Sequence, residues 1–202
     1  MENYLMLNGK QIELTEEQIE SIKQSLNVGD VELSTFKPAE IVRIGKYEFI
    51  VLEQLEDRTI VLLKGLLQDE EQFGKNNNYD GSNVDELCNG FGQVIEKLVG
   101  ADNLVEHTVD LTADDGLKCY GSVKRKMSLL TAEQYRKYVY VIDEHKSDKW
   151  WWLATAFSTP KHDDSAWIKC VSPRGHFDSN GYGNTIGVRP FCILKSNIFV
   201  SK

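Results

Sequence analysis

Three consecutive tryptophans, Trp150, Trp151 and Trp152, constrain the fold of this 202-residue chain more than any other feature. Three large indole rings are costly to leave in water. Successive side chains of a β-strand point to opposite faces, so Trp151 faces one way and Trp150 and Trp152 face the other. At least one face of this strand must therefore be core. We predict that Trp151 and Trp152 are buried and that Trp150 is partly exposed.

The composition predicts a globular protein with one domain and an appendage, because 41% of the residues are apolar and 27% are charged. The formal net charge of −8 argues against general binding to nucleic-acid phosphates and leaves room for basic protein partners. The first residues lack the pattern of a secretion signal, and no run of about 18 apolar residues occurs. We therefore expect no membrane span and a cytoplasmic location.

Four cysteines, Cys88, Cys119, Cys170 and Cys192, are far apart in the chain and form no Cys-x-x-Cys motif. This spacing argues against a zinc site and against a disulfide framework. We predict that the four side chains are buried thiols that pack as small apolar groups.

The first 40 residues are predicted to form a separate unit made of a β-hairpin and a helix. Asn8-Gly9 suits a two-residue hairpin turn, because both positions accept positive φ. Thr15 is a predicted N-cap with Gln18 three residues later, and the apolar spacing indicates one amphipathic helix that ends near 27–29. The unit is too short to bury its own apolar stripe. We expect it to pack on the main domain or on another copy, giving a homo-oligomer.

Residues 41–202 are predicted to form the main domain. A polar loop is expected over 68–78, and Ser172–Asn184, rich in Gly, Ser and Asn, is expected to be a second loop. One helix should run from 82 or 83 to 99, with Val84, Leu87, Cys88, Phe91, Ile95 and Leu98 facing inward. Another should follow the capping box of Thr131 and Gln134. β-branched and aromatic residues predict strands at 41–44, 47–55, 59–67, 105–111, 150–154, 166–171 and 188–194.

The order of these pieces resembles the DUF6273 family over three quarters of the chain, from about Ile41 to Leu194. The resemblance rests on the segments 45–52 (GKYEFIVL), 60–63 (IVLL), 127–135 (MSLLTAEQY), 151–153 (WWL) and 187–190 (GVRP), and on Tyr79 and Ser82 before a helix that carries Leu87 and Phe91. Many relatives have Trp-Trp-Leu-Arg-Ser where this chain has Trp151-Trp152-Leu153-Ala154-Thr155, so any role of that arginine is absent here.

The DUF6273 family is similar to the C-type-lectin-like superfamily, which includes formylglycine-generating enzymes and the variable tropism proteins of phages. This resemblance implies an α+β domain in which two helices lie beside small antiparallel sheets and long loops display a binding surface. The N-terminal unit also looks like short units common in proteins of Firmicutes and their phages. A phage or mobile-element protein, in the host cytoplasm or on the virion, is therefore expected.

The expected function is non-catalytic recognition of a protein, with a glycan as a second choice of ligand, through the C-terminal loops. Aromatic side chains and arginine among Gly, Ser and Asn are typical of an interaction surface. An acidic inhibitor of a host defence protein and an oxidoreductase of the formylglycine-generating type remain alternatives. No cofactor and no catalytic residue are predicted. The candidate binding residues are Phe157, His162, Trp167, Arg174, His176, Phe177, Tyr182 and Asn184.

Several polar loop residues could either bind a metal ion or serve only as structural loop residues. Calcium bound by Asp178, Asn180 and Asn184 stays open, but the lectin signatures Glu-Pro-Asn, Gln-Pro-Asp and Trp-Asn-Asp are absent and no metal is predicted. The segment 110–115 departs from the EF-hand spacing and is predicted to be a turn.

Arg189 lies beside an apolar strand, so it needs a carbonyl, a carboxylate or an aromatic face. We predict a structural bridge there rather than a functional site.

Overall fold

The computed structural model describes residues 4–7, 9–25 and 31–201. These residues form three α-helices: α1 (Glu16–Ser25), α2 (Asn83–Val99) and α3 (Ala132–Asp143). They also form seventeen strands: β1 (Tyr4–Leu7), β2 (Lys10–Glu13), β3 (Val31–Glu32), β4 (Ile41–Ile44), β5 (Tyr47–Gln54), β6 (Arg58–Leu63), β7 (Gln68–Gln72), β8 (Leu104–Val105), β9 (His107–Asp110), β10 (Ser122–Arg125), β11 (Met127–Leu129), β12 (Trp151–Ala156), β13 (Trp167–Val171), β14 (Phe177–Gly181), β15 (Thr185–Val188), β16 (Pro190–Lys195) and β17 (Phe199–Val200). The mixed α+β class predicted from the sequence is confirmed.

The N-terminal unit contains the predicted hairpin and capped helix. β1 and β2 pair antiparallel, with Leu7 opposite Lys10. At the start of α1, Thr15 and Gln18 cap each other: the amide of Gln18 donates to Thr15 Oγ1, and the amide of Thr15 donates to Gln18 Oε1. β2 is exposed along its whole length, including Ile12. The predicted helix end at 27–29 lies outside the described residues.

A six-stranded antiparallel sheet forms the centre of the main domain. Its strand order is β11-β16-β6-β5-β4, and β8 also pairs with β16. The predicted meander of β4, β5 and β6 is confirmed, although β6 ends at Leu63 rather than at residue 67. One face of the sheet packs on α2 through Phe91 and Ile95. Leu33 and Phe36, from the segment assigned by sequence to the N-terminal unit, are buried in the same cluster.

A second, five-stranded sheet has the order β14-β13-β12-β15-β7 and corrects two predictions. The predicted loop at 68–78 begins with strand β7, which pairs with β15, and the predicted loop Ser172–Asn184 contains β14, which pairs with β13. Both are edge strands of mostly polar residues; the side chains of β7 are largely exposed, and those of β14 are mostly half-buried. Backbone pairing holds them, so apolar alternation gives no signal of their presence.

The tryptophan strand β12 is core on both faces. Trp151 packs with α3 in the cluster between the two sheets, and Trp152 packs with Phe73 on the opposite face. Both rings are fully buried, whereas Trp150 is 38% exposed. The prediction for all three tryptophans is confirmed.

The helices α2 and α3 begin where their capping residues predict. Ser82 Oγ accepts from the amide of Asp85, and Thr131 and Gln134 form a reciprocal capping box. Of the residues predicted to face inward, Leu98 is exposed. It lies beside Gly45, in the turn between β4 and β5, where no side chain is present to cover it. No helix in the described part of the chain is long and apolar enough to cross a membrane.

Candidate binding surface

A buried asparagine, Asn77, fixes the connection between β12 and β13. Its amide nitrogen Nδ2 donates to the carbonyl oxygens of Ser158 and Trp167, at 3.0 and 3.1 Å. Its backbone amide donates to the carbonyl of Ser165, and its Oδ1 accepts from the Tyr120 hydroxyl at 2.6 Å. The side chain is fully buried, so these bonds are shielded from water. One residue thus holds both ends of the connection.

Ser158 and His162 of this connection form a polar cluster with Asp115, which lies in the loop between β9 and β10. The Ser158 hydroxyl donates to Asp115 Oδ2 at 2.5 Å, and His162 Nδ1 lies 3.1 Å from the same oxygen. These bonds lower the pKa of Asp115, the Ser158 hydroxyl contributing most. The Thr159 hydroxyl also donates to Cys119 Sγ at 3.4 Å. Because the Ser158 hydroxyl donates to the carboxylate and not to the imidazole, this cluster is not arranged as a hydrolase triad.

Phe157 and Trp167 form an exposed pair at the base of this connection. The amide of Phe157 donates to the carbonyl of Trp167 at 2.9 Å, one residue beyond the paired Ala156 and Ile168. Residues opposite each other in an antiparallel pair share a face. The two side chains are 44% and 47% exposed, respectively. We call Phe157, Trp167, Lys169 and Phe177 the aromatic surface.

Lys169 and Phe177 complete the aromatic surface on the same face. The Lys169 ammonium lies 4.1 Å from the centre of the Phe177 ring and 5.6 Å from that of Phe157. The Arg136 guanidinium lies 4.5 Å from the Phe177 ring, which stacks on Tyr135. Phe177 is therefore half-buried against α3, Lys169 is buried beside it, and Phe157 and Trp167 form the exposed part of the surface.

The structure brings together three of the eight predicted binding residues, Phe157, Trp167 and Phe177. His162 lies in the β12–β13 connection beside Asp115. The remaining four residues lie elsewhere. Arg174 and His176 lie in the turn at the opposite end of β13. Tyr182 packs against the cluster on the other face of the sheet, and Asn184 Nδ2 donates to Asn180 Oδ1.

Lys169 and Asn77 were missed by sequence reasoning. A lysine inside the apolar strand Trp-Ile-Lys-Cys-Val was a usable signal, because a cation on a buried strand needs a partner. The partner, Asp114, is distant in sequence and gave no signal of its own. Asn77 stands within Asn76-Asn77-Asn78, and no local pattern distinguishes the buried asparagine from its exposed or half-exposed neighbours.

The cysteines only partly follow the prediction of buried thiols. Cys88, Cys170 and Cys192 are buried, but Cys119 is exposed because it lies in the loop before β10. Burial raises the pKa values of Cys88 and Cys170 to about 12, and it raises that of Cys192 further. These three thiols are therefore held in the unreactive protonated form.

The polar loop residues considered for calcium bond mainly to their own chain. Asp178 Oδ1 accepts from the amide of Ser179, and Asn180 Oδ1 accepts from the amide of Gly181 and from Asn184. Asp110 Oδ1 accepts from the amide and hydroxyl of Thr112, which confirms the predicted turn. Within the described ranges, no three His, Cys, Asp or Glu side chains are grouped to hold a metal ion.

Arg189 is a structural bridge, as predicted. It is fully buried and donates to the carbonyls of Leu63, Lys64 and His145 at 2.9 to 3.0 Å. Its guanidinium also lies 5.4 Å from the Trp151 ring. Burial lowers the pKa of Arg189 to about 10. This arginine joins β6, the end of α3 and β12, and presents no charge to solvent.

A cavity of about 300 Å³ lies between α2 and β10, away from the aromatic surface. Charged side chains line it, and they pair with one another: Lys126 with Glu96, and Lys124 with Glu106. With its charges already compensated, this cavity is a weaker candidate site.

A scan of the chain against protein-family models finds no matching family. A search of curated proteins likewise finds no match to this chain.

Proposed function

We propose that this protein is a non-catalytic binding module that recognises a protein partner through the aromatic surface. The observation that carries the proposal is the cross-strand pair of Phe157 and Trp167, each almost half exposed at adjacent positions of one sheet face. Single exposed aromatics are ordinary, but an adjacent pair is a compact apolar anchor. Aromatic side chains are typical of the residues that dominate protein interfaces.

The rigidity of the support favours binding over chance exposure. Asn77 fixes the carbonyl of Trp167 and both ends of the neighbouring connection. A surface that is ordered before binding loses little conformational entropy on association, so more of the contact energy appears as affinity.

We also propose that residues 41–202 form a C-type-lectin-like domain of the DUF6273 kind. Two helices beside small, mainly antiparallel sheets support this assignment, as does the position of the aromatic surface next to a long connection. A phage or mobile-element origin, with the protein in the host cytoplasm or on the virion, belongs to the same proposal. The N-terminal unit would then hold the module to a second copy or to a larger assembly.

An acidic inhibitor of a basic host protein is a second candidate function. The exposed edge strand β7 carries Asp69, Glu70 and Glu71 in succession, and only Asp69 has an ion pair, with Lys149, among the described residues. Replacing Glu70 and Glu71 with lysine tests this candidate. If the partner binds to the acidic strand β7, this variant should lose the partner. If the partner binds to the aromatic surface, the variant should retain it.

Capture from lysates tests the main proposal when three forms of the protein are compared. The wild type, the double variant Phe157→Ser with Trp167→Ser, and the control Tyr140→Ser are immobilised, and retained species are identified by mass spectrometry. Tyr140 is a matched control because it is an exposed aromatic on the surface of α3. We expect a stoichiometric protein that the wild type and the control retain and the double variant loses. A partner retained equally by all three forms would contradict the proposal.

A further inference from the structure

Lys169 is a nearly buried cation that no hydrogen-bond acceptor in the described residues satisfies. Its side chain is 9% exposed, and its closest charged neighbour is Asp114 Oδ2, at 3.5 Å. The ammonium has three donors, yet it makes no hydrogen bond to any residue that the structure describes. Charge-assisted bonds are shorter, at about 2.7–2.9 Å. Burying an ammonium is costly unless acceptors satisfy it. Lys169 Nζ is not among the fully buried atoms without a partner in the described residues, so water reaches it and accepts its hydrogen bonds.

The neighbouring charges do not compensate Lys169 fully. Asp114 is shared with Arg136, whose Nη2 donates to Asp114 Oδ1 at 2.7 Å. Because this contact is shorter than that of Lys169, Asp114 interacts more strongly with Arg136 than with Lys169. In the described part of the chain, no other carboxylate lies within ion-pairing distance of either cation. Two cations with one carboxylate leave one positive charge in excess, next to two aromatic rings.

We propose that Lys169 is an anion-binding centre within the aromatic surface, and that the partner protein presents to it an Asp or Glu side chain flanked by apolar residues. This inference rests on the proposed function and names the chemistry of its partner. The carboxylate replaces water as the acceptor of the hydrogen bonds that no described residue accepts from the ammonium. The flanking apolar side chains cover Phe157 and Trp167, which lie on the same face as Lys169. Exclusion of water by these contacts strengthens the ion pair.

Short blocked peptides test this chemistry without the natural partner. The probe is N-acetyl-Leu-Glu-Leu-amide, and its matched control has Gln in place of Glu. Binding is followed by NMR through the indole N–H signal of Trp167, which is identified by its loss in Trp167→Phe. We expect a saturable shift with the Glu peptide and at least tenfold weaker binding of the Gln peptide.

Two variants change the charge balance in opposite directions. Lys169→Met removes the cation and keeps the length and apolar character of the side chain, so we expect the shift to disappear. Asp114→Asn removes the competing carboxylate, so the Glu peptide should bind about threefold more tightly or better. Because one variant weakens binding and the other strengthens it, partial unfolding cannot produce both results.

Equal binding of the two peptides, or weaker binding of the Glu peptide by Asp114→Asn, would overturn the inference. So would displacement of the peptide by equimolar inorganic phosphate, which would assign the centre to phosphate. The inference and the proposed function fail separately. If a captured partner binds Lys169→Met as tightly as it binds the wild type, the assignment of a partner carboxylate to Lys169 is wrong, and the proposed binding surface is unaffected. If the Glu peptide binds as expected but the Phe157 and Trp167 double variant retains the partner, only the docking surface is wrong.

Discussion

Asn77 Nδ2 donates a hydrogen bond to the carbonyl oxygen of Trp167, at 3.1 Å, from a side chain that is fully buried. The loop before α2 is thereby joined to the exposed end of β13. The position of Trp167 on the surface depends on a polar contact between segments that are distant in sequence.

Replacing Asn77 with alanine should destabilise the protein by about 2–4 kcal/mol, because the change removes the hydrogen bonds that Asn77 makes with the Ser158 carbonyl and the Tyr120 hydroxyl, and one of the two bonds to the Trp167 carbonyl. Urea unfolding measures this difference. Asn76→Ala is the matched control, since among the described residues the exposed Asn76 side chain bonds only to the nearby amide of Asn78. The control should lie within about 1 kcal/mol of the wild type. Equal effects at the two positions would contradict the assigned role of Asn77.

Stability should fall in acid through His107. Burial lowers the pKa of His107 from its ordinary value of 6.5 to about 4, and Nε2 lies 2.9 Å from Ser128 Oγ. The unfolded chain takes up this proton at a higher pH than the folded protein does. The contribution to stability is therefore present above pH 6.5 and decreases as the pH falls towards 4, by about 3 kcal/mol.

The variant His107→Gln isolates this effect, because glutamine does not titrate. Between about pH 7 and pH 4 the wild type should lose about 3 kcal/mol more stability than this variant, measured by urea unfolding at each pH. His162→Gln, at an exposed histidine, should follow the wild type. A pH profile that is unchanged by His107→Gln would show that the folded protein accommodates the charged imidazole.

Only one of the four thiols should react quickly in the native protein. Cys119 is exposed, whereas burial raises the pKa values of the other three thiols. Titration with a chromogenic disulfide should give one fast thiol per chain, and none in Cys119→Ser. Two or more fast thiols would instead favour the oxidoreductase alternative.

The N-terminal unit is predicted to mediate self-association, and light scattering can test this. We expect the full chain to form oligomers and the fragment 31–202 to be monomeric. The fragment starts at 31 because Leu33 and Phe36 are buried in the main domain, and removing them would damage its core. A monomer in both cases would remove the assembly role.

An element of this fold could be predicted from the sequence when the residues that specify it are close together in the chain. The starts of α2 and α3 were identifiable because capping bonds join residues three apart in the chain. Ser82 caps α2, and Thr131 with Gln134 caps α3. The burial of Trp151 and Trp152 was predicted from strand alternation together with the cost of leaving indole rings in water. The edge strands β7 and β14 are polar, so only pairing with distant strands reveals them.

The candidate surface was predictable only in part, for the same reason. Phe157, Trp167 and Phe177 were identifiable as aromatics near loops, but their placement on one face of the sheet depends on strand register. The importance of Lys169 follows from its burial and from its distance to Asp114. Neither quantity is encoded in a local pattern.

Calorimetric titration of the purified partner against three forms of the protein tests the central claim most directly. The forms are the wild type, Phe157→Ser with Trp167→Ser, and the control Tyr140→Ser. A binding surface centred on Phe157 and Trp167 predicts that the double variant loses at least about 2 kcal/mol of binding free energy, roughly thirtyfold in affinity, while the control matches the wild type. Affinity of the double variant within about threefold of the wild type would contradict the claim.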